Sequence, residues 1–495
     1  MDEKQETGQT KQAKGSMETS IDPTNLSSLY FYCQDHEELN AKLDEEFVCY
    51  VNPNIRIEND KKNVVHGRGV VVTQDVKAGE CLFVSSPVIG VRSEEARNAF
   101  LESAGSTLEE TTMKLLQDKM MDAIRKQNNH GPINSFMALM GSQNGKQYTD
   151  TPSIDLLNGQ DDSIVWSEEE LNCMTPSNLK SIILKNAFGP EFITYDKIQT
   201  QWQSEESPNY SPPHLLGIYP LAAMLNHSCS PNAIRTYAKE GIMIVHACQP
   251  IRAGTEVVWS YIPTLQVFAV RRRALKQRHG FICRCERCLV EAKGLRKDIL
   301  PANFKSALED ALKWNETLRQ SDISNLSSSQ AQISNAYKNL AETVFSTQNL
   351  SNEVKRCVRI GYTNLHFNFF NAILLKSAGD GSEEARRLQQ PIREMILDSA
   401  TQLHFAFCTS NNASTEHLSL LHLCYELIQA IHRYSSDKVK TQNQIKFWTD
   451  AMKRAHMIRY GEMGSDLEAV RNCLVHTRTI LRQRDGHLKA KYNFL

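Results

Sequence analysis

Apolar and polar positions change their period several times along this chain. From about Asn63 to Val91, β-branched runs in "GRGVVVTQDVKAGECLFVSSPVIGV" are punctuated by Gly67, Gly69 and a turn at Lys77-Ala-Gly79, a pattern of short strands. From Ser93 to about Leu184 the period lengthens. There "EEARNAFLESAG" and "EETTMKLLQDKMMDAIRKQ" predict helices, and "GSQNGKQYTDTPS" predicts a loop. Strands return in "NAIRTYAKEGIMIVHACQPIRAGTEVVWSYI", two runs about the turn Ala238-Lys-Glu-Gly241 and a third after Ala253-Gly254. Next, "TLQVFAVRRRALKQRHG" predicts a helix that stops at Gly280.

Beyond about Leu300 the pattern is helical. Leu421, Cys424, Ile428 and Ile431 recur at offsets of 3, 7 and 10, one apolar face. Ser465-Asp-Leu-Glu468 has capping-box form and precedes Leu467, Val470, Leu474 and Leu481 at similar spacing. Such stripes are core. The expectation is an α+β protein: a polar tail over 1–45, a β-rich domain over 46–263 with a helical insert at about 93–184, a segment over 264–298, and an all-α domain over 299–495. Its helices are expected to stack in pairs in a TPR-like manner, although no self-similar repeat is clear.

Composition narrows the function. A chain of 495 residues is expected to hold two or three domains. A formal charge of −1 disfavours general nucleic-acid coating. The start, "MDEKQETGQTKQAKGSMETS", lacks the apolar core of a signal peptide and reads as a disordered tail. No apolar run reaches the length of a membrane span, so a soluble protein of cytoplasm, nucleus or both is expected. Thirteen scattered cysteines do not form a disulfide framework; Cys357, Cys408, Cys424 and Cys473 read as small buried hydrophobes.

One cysteine group differs. Cys283-Arg-Cys285-Glu-Arg-Cys288 places three thiols within six residues, among charges that make a poor apolar core. Zinc takes four ligands, and Cys229 in "LNHSCSPN" is the candidate for the fourth. Such a site has no open position and is structural. The flanking stretch Thr264–Lys297 holds Arg271, Arg272, Arg273, Lys276, Arg278, Arg284, Arg287, Lys293, Arg296 and Lys297 against Glu286 and Glu291. Its sharp reading is a nucleic-acid or nuclear-import patch, and its bland reading is the solvated face of a helix. No aromatic interleaving accompanies it, so the bland reading is preferred and direct nucleic-acid binding is disfavoured.

"GRG" at 67–69, "NHSCSPN" at 226–232, "GTEVVWSYI" at 254–262 and "FICRCERC" at 281–288 occur in an order that resembles SET-domain protein lysine methyltransferases. The approach "GIYPLAAMLNHSC" and the helical C-terminal region look most like the SMYD branch. The resemblance implies that Gly67, Arg68 and Gly69 approach S-adenosylmethionine. It also implies that Asn226 and His227 hold this co-substrate, that Phe281 covers its adenine, and that Asn186 in "KNAFG" is a further contact. Tyr261 matches the catalytic tyrosine, and the 226–232 segment is implied to tuck beneath another loop in a knot-like arrangement. The apolar run Leu221–Leu225 before it would be a buried strand or turn. Taken singly, each residue has a plain reading: a core histidine, a packed tyrosine, a tight glycine turn.

The implied reaction moves a methyl from a sulfonium to a neutral lysine amine of a histone or non-histone protein. Partner proteins are expected at the C-terminal helices, and a monomer is the default. A catalytically silent SET scaffold is the alternative; intact Tyr261, Asn226, His227 and Phe281 favour the enzyme. Two departures stand out. No cysteine lies between Cys81 and Cys173, so the MYND zinc finger of SMYD proteins has no ligands here. His279 stands where several relatives have a tyrosine near the substrate channel, which leaves the degree of methylation open; His66 before Gly67 is a smaller change.

Overall fold

The computed structural model describes residues 49–59, 67–103, 105–106, 108–126, 172, 174–189, 214–237, 242–295, 302–320, 326–376 and 390–460, with single helical positions at 136, 139 and 157. The polar tail, His66, Cys173, the turn at 238–241, most of the insert and the capping box at Ser465 with Cys473 lie outside these residues.

Eleven short strands are described, in three sheets. β1 (Cys49–Val51), β2 (Ile55–Glu58), β3 (Gly69–Val72), β4 (Cys81–Ser85) and β5 (Ile89–Arg92) come first. The helices α1 (Ser93–Glu102), α2 (Leu108–Lys126) and α3 (Pro176–Asn186) follow, then β6 (Ala187–Phe188), β7 (His214–Ile218) and a single helical turn, α4 (Pro220–Ala223). β8 (Asn226–His227), β9 (Ala233–Tyr237), β10 (Met243–Ala247) and β11 (Glu256–Trp259) complete the set. The sheets run β1-β4-β10-β9, β2-β3-β11-β8 and β5-β7-β6. β3 and β10 are buried on both faces, so their sequences read "GVVV" and "MIVHA" rather than alternating.

One pairing matters most for function. β8 joins β11 in parallel, with Asn226 opposite Val258 and His227 opposite Trp259. The Ser228 amide then donates to the Trp259 carbonyl at 2.8 Å, and the Asn232 amide to Val258 at 3.1 Å. The Asn232 side chain closes the seam from both sides: its Nδ2 donates to the Glu256 carbonyl and its Oδ1 accepts from the Val258 amide, each at 2.8 Å. Seven residues are thereby sewn onto the strand that leads to Tyr261.

α5 (Phe268–His279) stops at Gly280, whose φ of 75° terminates it in the left-handed region, as its sequence predicts. α6 (Glu286–Gly294) opens the C-terminal half. α7 (Ala302–Gln320), α8 (Leu326–Leu340), α9 (Asn352–Gly361), α10 (Thr363–Lys376), α11 (Gln390–Ser410), α12 (Thr415–Tyr434) and α13 (Lys438–Tyr460) follow. They pack around a second core that includes Leu340, Phe370, Leu403, Leu421, Cys424, Ile428 and Trp448. The stripe read from 421, 424, 428 and 431 is its inner face.

The helices seat on the β-rich part through α13 and the α11–α12 loop. A Cβ on Gly79 would lie 3.2 Å from the Met457 carbonyl of α13, and its φ of 87° also demands glycine. Asn412 Nδ2 donates to the Cys248 carbonyl at 2.8 Å, and Ser230 Oγ to that of Thr409 at 3.2 Å. Asn411 bonds Thr264. The "NHSC" segment thus touches the helical region directly.

His366 sits fully buried among Tyr337, Phe345 and Phe370, at centroid distances of 5.0, 5.8 and 6.2 Å. Burial, reinforced by Arg359, lowers its pKa from 6.5 to about 3. The folded state therefore stays unprotonated there at pH values where the unfolded chain takes a proton. Its contribution is complete above about pH 6.5 and erodes as pH falls towards 3, by about 1.4 kcal/mol per unit. His366→Phe is expected to flatten the acid limb of stability, measured by urea unfolding between pH 7.5 and 4.5.

Candidate active site and metal centre

The pairing of β8 with β11 brings the "GRG" turn, "NHSC" and Tyr261 together. Asn226 is the link. Its Nδ2 donates to the Arg68 carbonyl at 3.0 Å and to Glu256 Oε1 at 2.6 Å, joining a turn 158 residues earlier to β11. Glu256, part of "GTEVVWSYI" but given no role by the sequence reading, is buried and holds this amide in place. Gly67 has a φ of 62°, and among the described residues a Cβ there would meet nothing within 4 Å, which leaves room for a ligand to approach. Gly69 opens β3 and is buried in the sheet. Arg68 is partly buried, and that burial lowers its pKa.

His227 is committed at both ring nitrogens. Its Nδ1 accepts the backbone N–H of Tyr261 at 3.0 Å, which leaves the proton of the neutral ring on Nε2, 3.3 Å from Cys229 Sγ. The ring is therefore an orienting group between Tyr261 and the cysteines. Tyr261 Oη donates to the Leu225 carbonyl at 2.8 Å. Burial, with a smaller push from Glu256, raises its pKa to about 12, so the phenol stays protonated at neutral pH with its lone pairs available.

Four rings converge here. Tyr261 lies 5.3 Å from His227, 5.1 Å from His279 and 6.4 Å from Phe281. Phe281 lies 5.9 Å from His227 and 6.3 Å from His279. Faces of aromatic rings attract cations, by about 0.5–2 kcal/mol each. Asn186 is placed differently: its Nδ2 turns back to the Ile182 carbonyl of its own helix at 3.0 Å. Its neighbour Phe188 instead packs on Trp259 at 5.1 Å, with Arg235 over both rings.

Cys229, Cys283, Cys285 and Cys288 bring their sulfurs within 4.8 Å of one another. A tetrahedron with sulfur about 2.3 Å from zinc has edges of about 3.8 Å, and Cys288 Sγ lies 3.6 Å from Cys229 Sγ. With protons alone to share, hydrogen bonds from Cys283, Cys285 and Cys288 hold the Cys229 thiol far below its usual range. The same Cys229 bonds drive Cys283 and Cys288 up. All four could be thiolates together only with a cation of high charge among them. The donor set fits zinc and offers no open position.

Behind the cysteines lies a charge network that corrects the reading of the basic stretch. Arg271 and Arg287 are buried, while Arg272, Arg273, Lys276 and Arg278 on α5 are exposed. Arg271 pairs with buried Glu291, and Arg287 Nε lies 3.6 Å from the same carboxylate. Burial works against the charge of Arg271, but Glu291 outweighs it and the pKa ends above its usual value. Arg287 Nη1 donates to the Thr264 carbonyl at 2.8 Å and to Cys229 at 3.2 Å, tying "NHSC" to the cysteine loop. These arginines are internal struts. A pattern of basic residues on a helix does not disclose a carboxylate twenty residues later that draws one of them inward.

Leu221–Leu225, for which the sequence predicts a buried strand or turn, takes the second form: it lies in and after the single helical turn α4, which Pro220 opens because proline suits a first helical position. A second donor group, His404, Cys408 and His417, lies on α11 and α12. His417 Nδ1 accepts the Ala413 N–H at 3.1 Å, and its Nε2 lies 2.8 Å from His404 Nδ1. Those rings already satisfy each other and the loop.

Residues 67–262 match the family model described as SET domain. Over 76 residues the chain is 38% identical to histone-lysine N-methyltransferase ASHR1 of Arabidopsis thaliana, covering 15% of this chain and 16% of that one. It is 40% identical over 80 residues to human N-lysine methyltransferase SMYD2, 16% and 18% of the two chains. A SET and MYND domain-containing protein of Dictyostelium discoideum is 35% identical over 79 residues, 16% of this chain and 23% of that one. The matches span about a fifth of the length of these curated relatives. The chain carries a SET domain. SMYD proteins are among the relatives it resembles; the chain shares with them a helical region after the SET match, but has no cysteines for a MYND finger between Cys81 and Cys173.

Removing the shared carboxylate tests the buried network. Glu291→Ala leaves two guanidinium groups facing each other without compensation and is expected to cost about 3–5 kcal/mol. Urea unfolding at neutral pH measures it. A loss within about 0.5 kcal/mol would mean that the pair is solvated or neutralised elsewhere.

Proposed function

We propose that the chain is an S-adenosylmethionine-dependent protein-lysine N-methyltransferase. The observation that carries this reading is the double tether of Tyr261, backbone to His227 and hydroxyl to Leu225, beside the turn that Asn226 holds. Gly67, Arg68 and Gly69, with Asn226, His227 and Phe281, are the residues that would bind the co-substrate; Asn186 would join them by releasing its bond to Ile182. S-adenosylmethionine supplies an electrophilic methyl on a positively charged sulfur, a species that suits a cage of aromatic rings.

Tyr261 then has two tasks. Its committed proton leaves oxygen lone pairs to accept from an incoming nitrogen, and its fixed ring narrows the space to a near-attack approach of about 3 Å. The lysine enters along a cleft of about 350 Å³ between the SET domain and the helices, which runs past Tyr261 and is lined by Arg235, Trp259, Gln266, Asn364 and Glu416. With residues of opposite charge along its walls, the cleft suits a polypeptide. Relatives are named for histone-lysine and for N-lysine methylation, so the target is a lysine of a histone or another protein. The cysteine cluster is assigned to structural zinc, which would hold Phe281 over the co-substrate.

Methyl transfer from radiolabelled S-adenosylmethionine to hypomethylated cell extract tests the activity. Tyr261→Phe is expected to bind the co-substrate within a few-fold of the parent, by calorimetry, and to transfer label at least about 100-fold more slowly. Labelling at the parent rate would remove Tyr261 from the mechanism, and no labelling by the parent would return weight to a scaffold role.

The metal assignment predicts one zinc per chain by elemental analysis. Its chelation is expected to lower both the unfolding temperature and co-substrate affinity, since metal-binding energy is folding energy here. Undiminished affinity after full chelation would uncouple the cysteine loop from the site.

A further inference from the structure

Resting on the methyltransferase reading, the geometry points to His279 as the group that takes the proton from the incoming lysine ammonium, a role that neither Tyr261 nor His227 is free to fill. The reaction needs such a group because a lysine arrives charged, with an unperturbed pKa of about 10.4. Tyr261 cannot serve: its phenol already carries its proton and donates it to Leu225. Nor can His227, whose Nδ1 is occupied by the Tyr261 N–H and whose Nε2 faces Cys229.

His279 is the remaining imidazole of the ring cluster. It sits 5.1 Å from the Tyr261 ring and 6.3 Å from that of Phe281. Among the described residues neither of its nitrogens has a hydrogen-bond partner, and the side chain is half-buried at the last turn of α5. The groups that act on it are few. Burial lowers its pKa first, then the charges of His227 across the cluster and of Arg278 on its own helix. The C-terminal end of α5 works the other way, since helix ends of that polarity favour imidazolium. The net is a ring that is neutral at pH 7 and can accept one proton.

The step balances. One N–H bond of the ammonium breaks and its proton bonds to an imidazole nitrogen of His279. The freed nitrogen pair forms the N–C bond to the methyl as the C–S pair leaves on sulfur, giving a methylammonium, which keeps the second positive charge, and a neutral thioether. The transfer runs uphill for an unperturbed ammonium. It becomes feasible because a sulfonium beside the ammonium repels its charge, and because methyl transfer draws the neutral amine away. After turnover the half-exposed ring returns its proton to water.

The experiment uses the full chain with ¹³C-labelled histidine, its His279 signal assigned by its loss in His279→Phe. Titration is followed alone, with S-adenosylmethionine, and with S-adenosylhomocysteine, which lacks the positive charge. The His279 pKa is expected to fall with the first and to fall less with the second. In parallel, label transfer to hypomethylated extract is measured from pH 5.5 to 9.5. The parent is expected to lose activity with unit slope below the His279 pKa. His279→Phe should keep co-substrate affinity, lose that limb and fall about 100-fold at neutral pH. His279→Gln, which keeps polarity without a proton acceptor of the right strength, should not rescue it.

A His279 pKa unmoved by the charged co-substrate, or a Phe variant with the parent's profile and rate, would overturn the assignment. A charge-dependent shift in a parent that labels nothing would support the placement of His279 and count instead against methyl transfer.

Discussion

The parallel pairing of Asn226 and His227 with Val258 and Trp259 is the constraint on which the site depends. Two residue pairs of ladder are a weak sheet by themselves. Here they are locked by the Ser228 and Asn232 backbone bonds, by both ends of the Asn232 amide, and by the Asn226 bond to Glu256. Each of these polar groups is buried or half-buried, where an unmade hydrogen bond costs about 1–3 kcal/mol. A shift of register by one residue would break most of them together. The same shift would also exchange His227 and Asn226 across the strand. Tyr261 would lose its acceptor and the "GRG" turn its anchor, while Cys229 would leave the other cysteines.

Charge accounts for the next layer. Four cysteine thiolates around a divalent ion would carry a net negative charge, and Arg271 and Arg287 bring positive charge behind them, balanced in turn by Glu291. Arg287 reaches the carbonyls of Cys229 and Thr264, so the network bonds to the backbone it must position. Thr264 also meets Asn411 of the α11–α12 loop. The "GRG" turn, cysteine loop and C-terminal helices are therefore connected by hydrogen bonds between buried and half-buried groups. The helical region is consequently part of the architecture of the site, and a cleft between the two halves is shaped by both.

Much of this was legible in the sequence for identifiable reasons. Strands and turns around Gly79, Ala253-Gly254 and Gly280 follow from short-range rules, and they appear where those rules put them. The cysteine cluster was readable because three thiols in six residues, set among charges, make poor core packing and good metal ligands. The grouping of Arg68, Asn226 and Tyr261 came from the order of motifs, since no local rule joins positions 158 residues apart. What the sequence hides shares one cause. The burial of Arg271 and Arg287, the clasp of Glu256 and the docking role of Asn411 and Asn412 depend on partners brought near only by tertiary folding. A lone charged or amide residue looks the same on a surface. Asn186 shows the converse, since its motif suggests a site contact while its amide caps its own helix.

The two histidines of the ring cluster show how the environment divides one chemistry into two. Both are imidazoles within reach of Tyr261 and Phe281. His227 is buried in a strand, accepts from a backbone amide and faces a sulfur, so its tautomer is set and its protons are spoken for. His279 ends a helix beside the ring cluster, half open to solvent, and among the described residues nothing fixes its ring nitrogens. A group that must orient another needs the first setting; a group that must exchange protons needs the second. The ring proposed to exchange protons ends the helix that leads into the cysteine loop, so the same short stretch of chain carries His279, Phe281 and the first of the clustered cysteines.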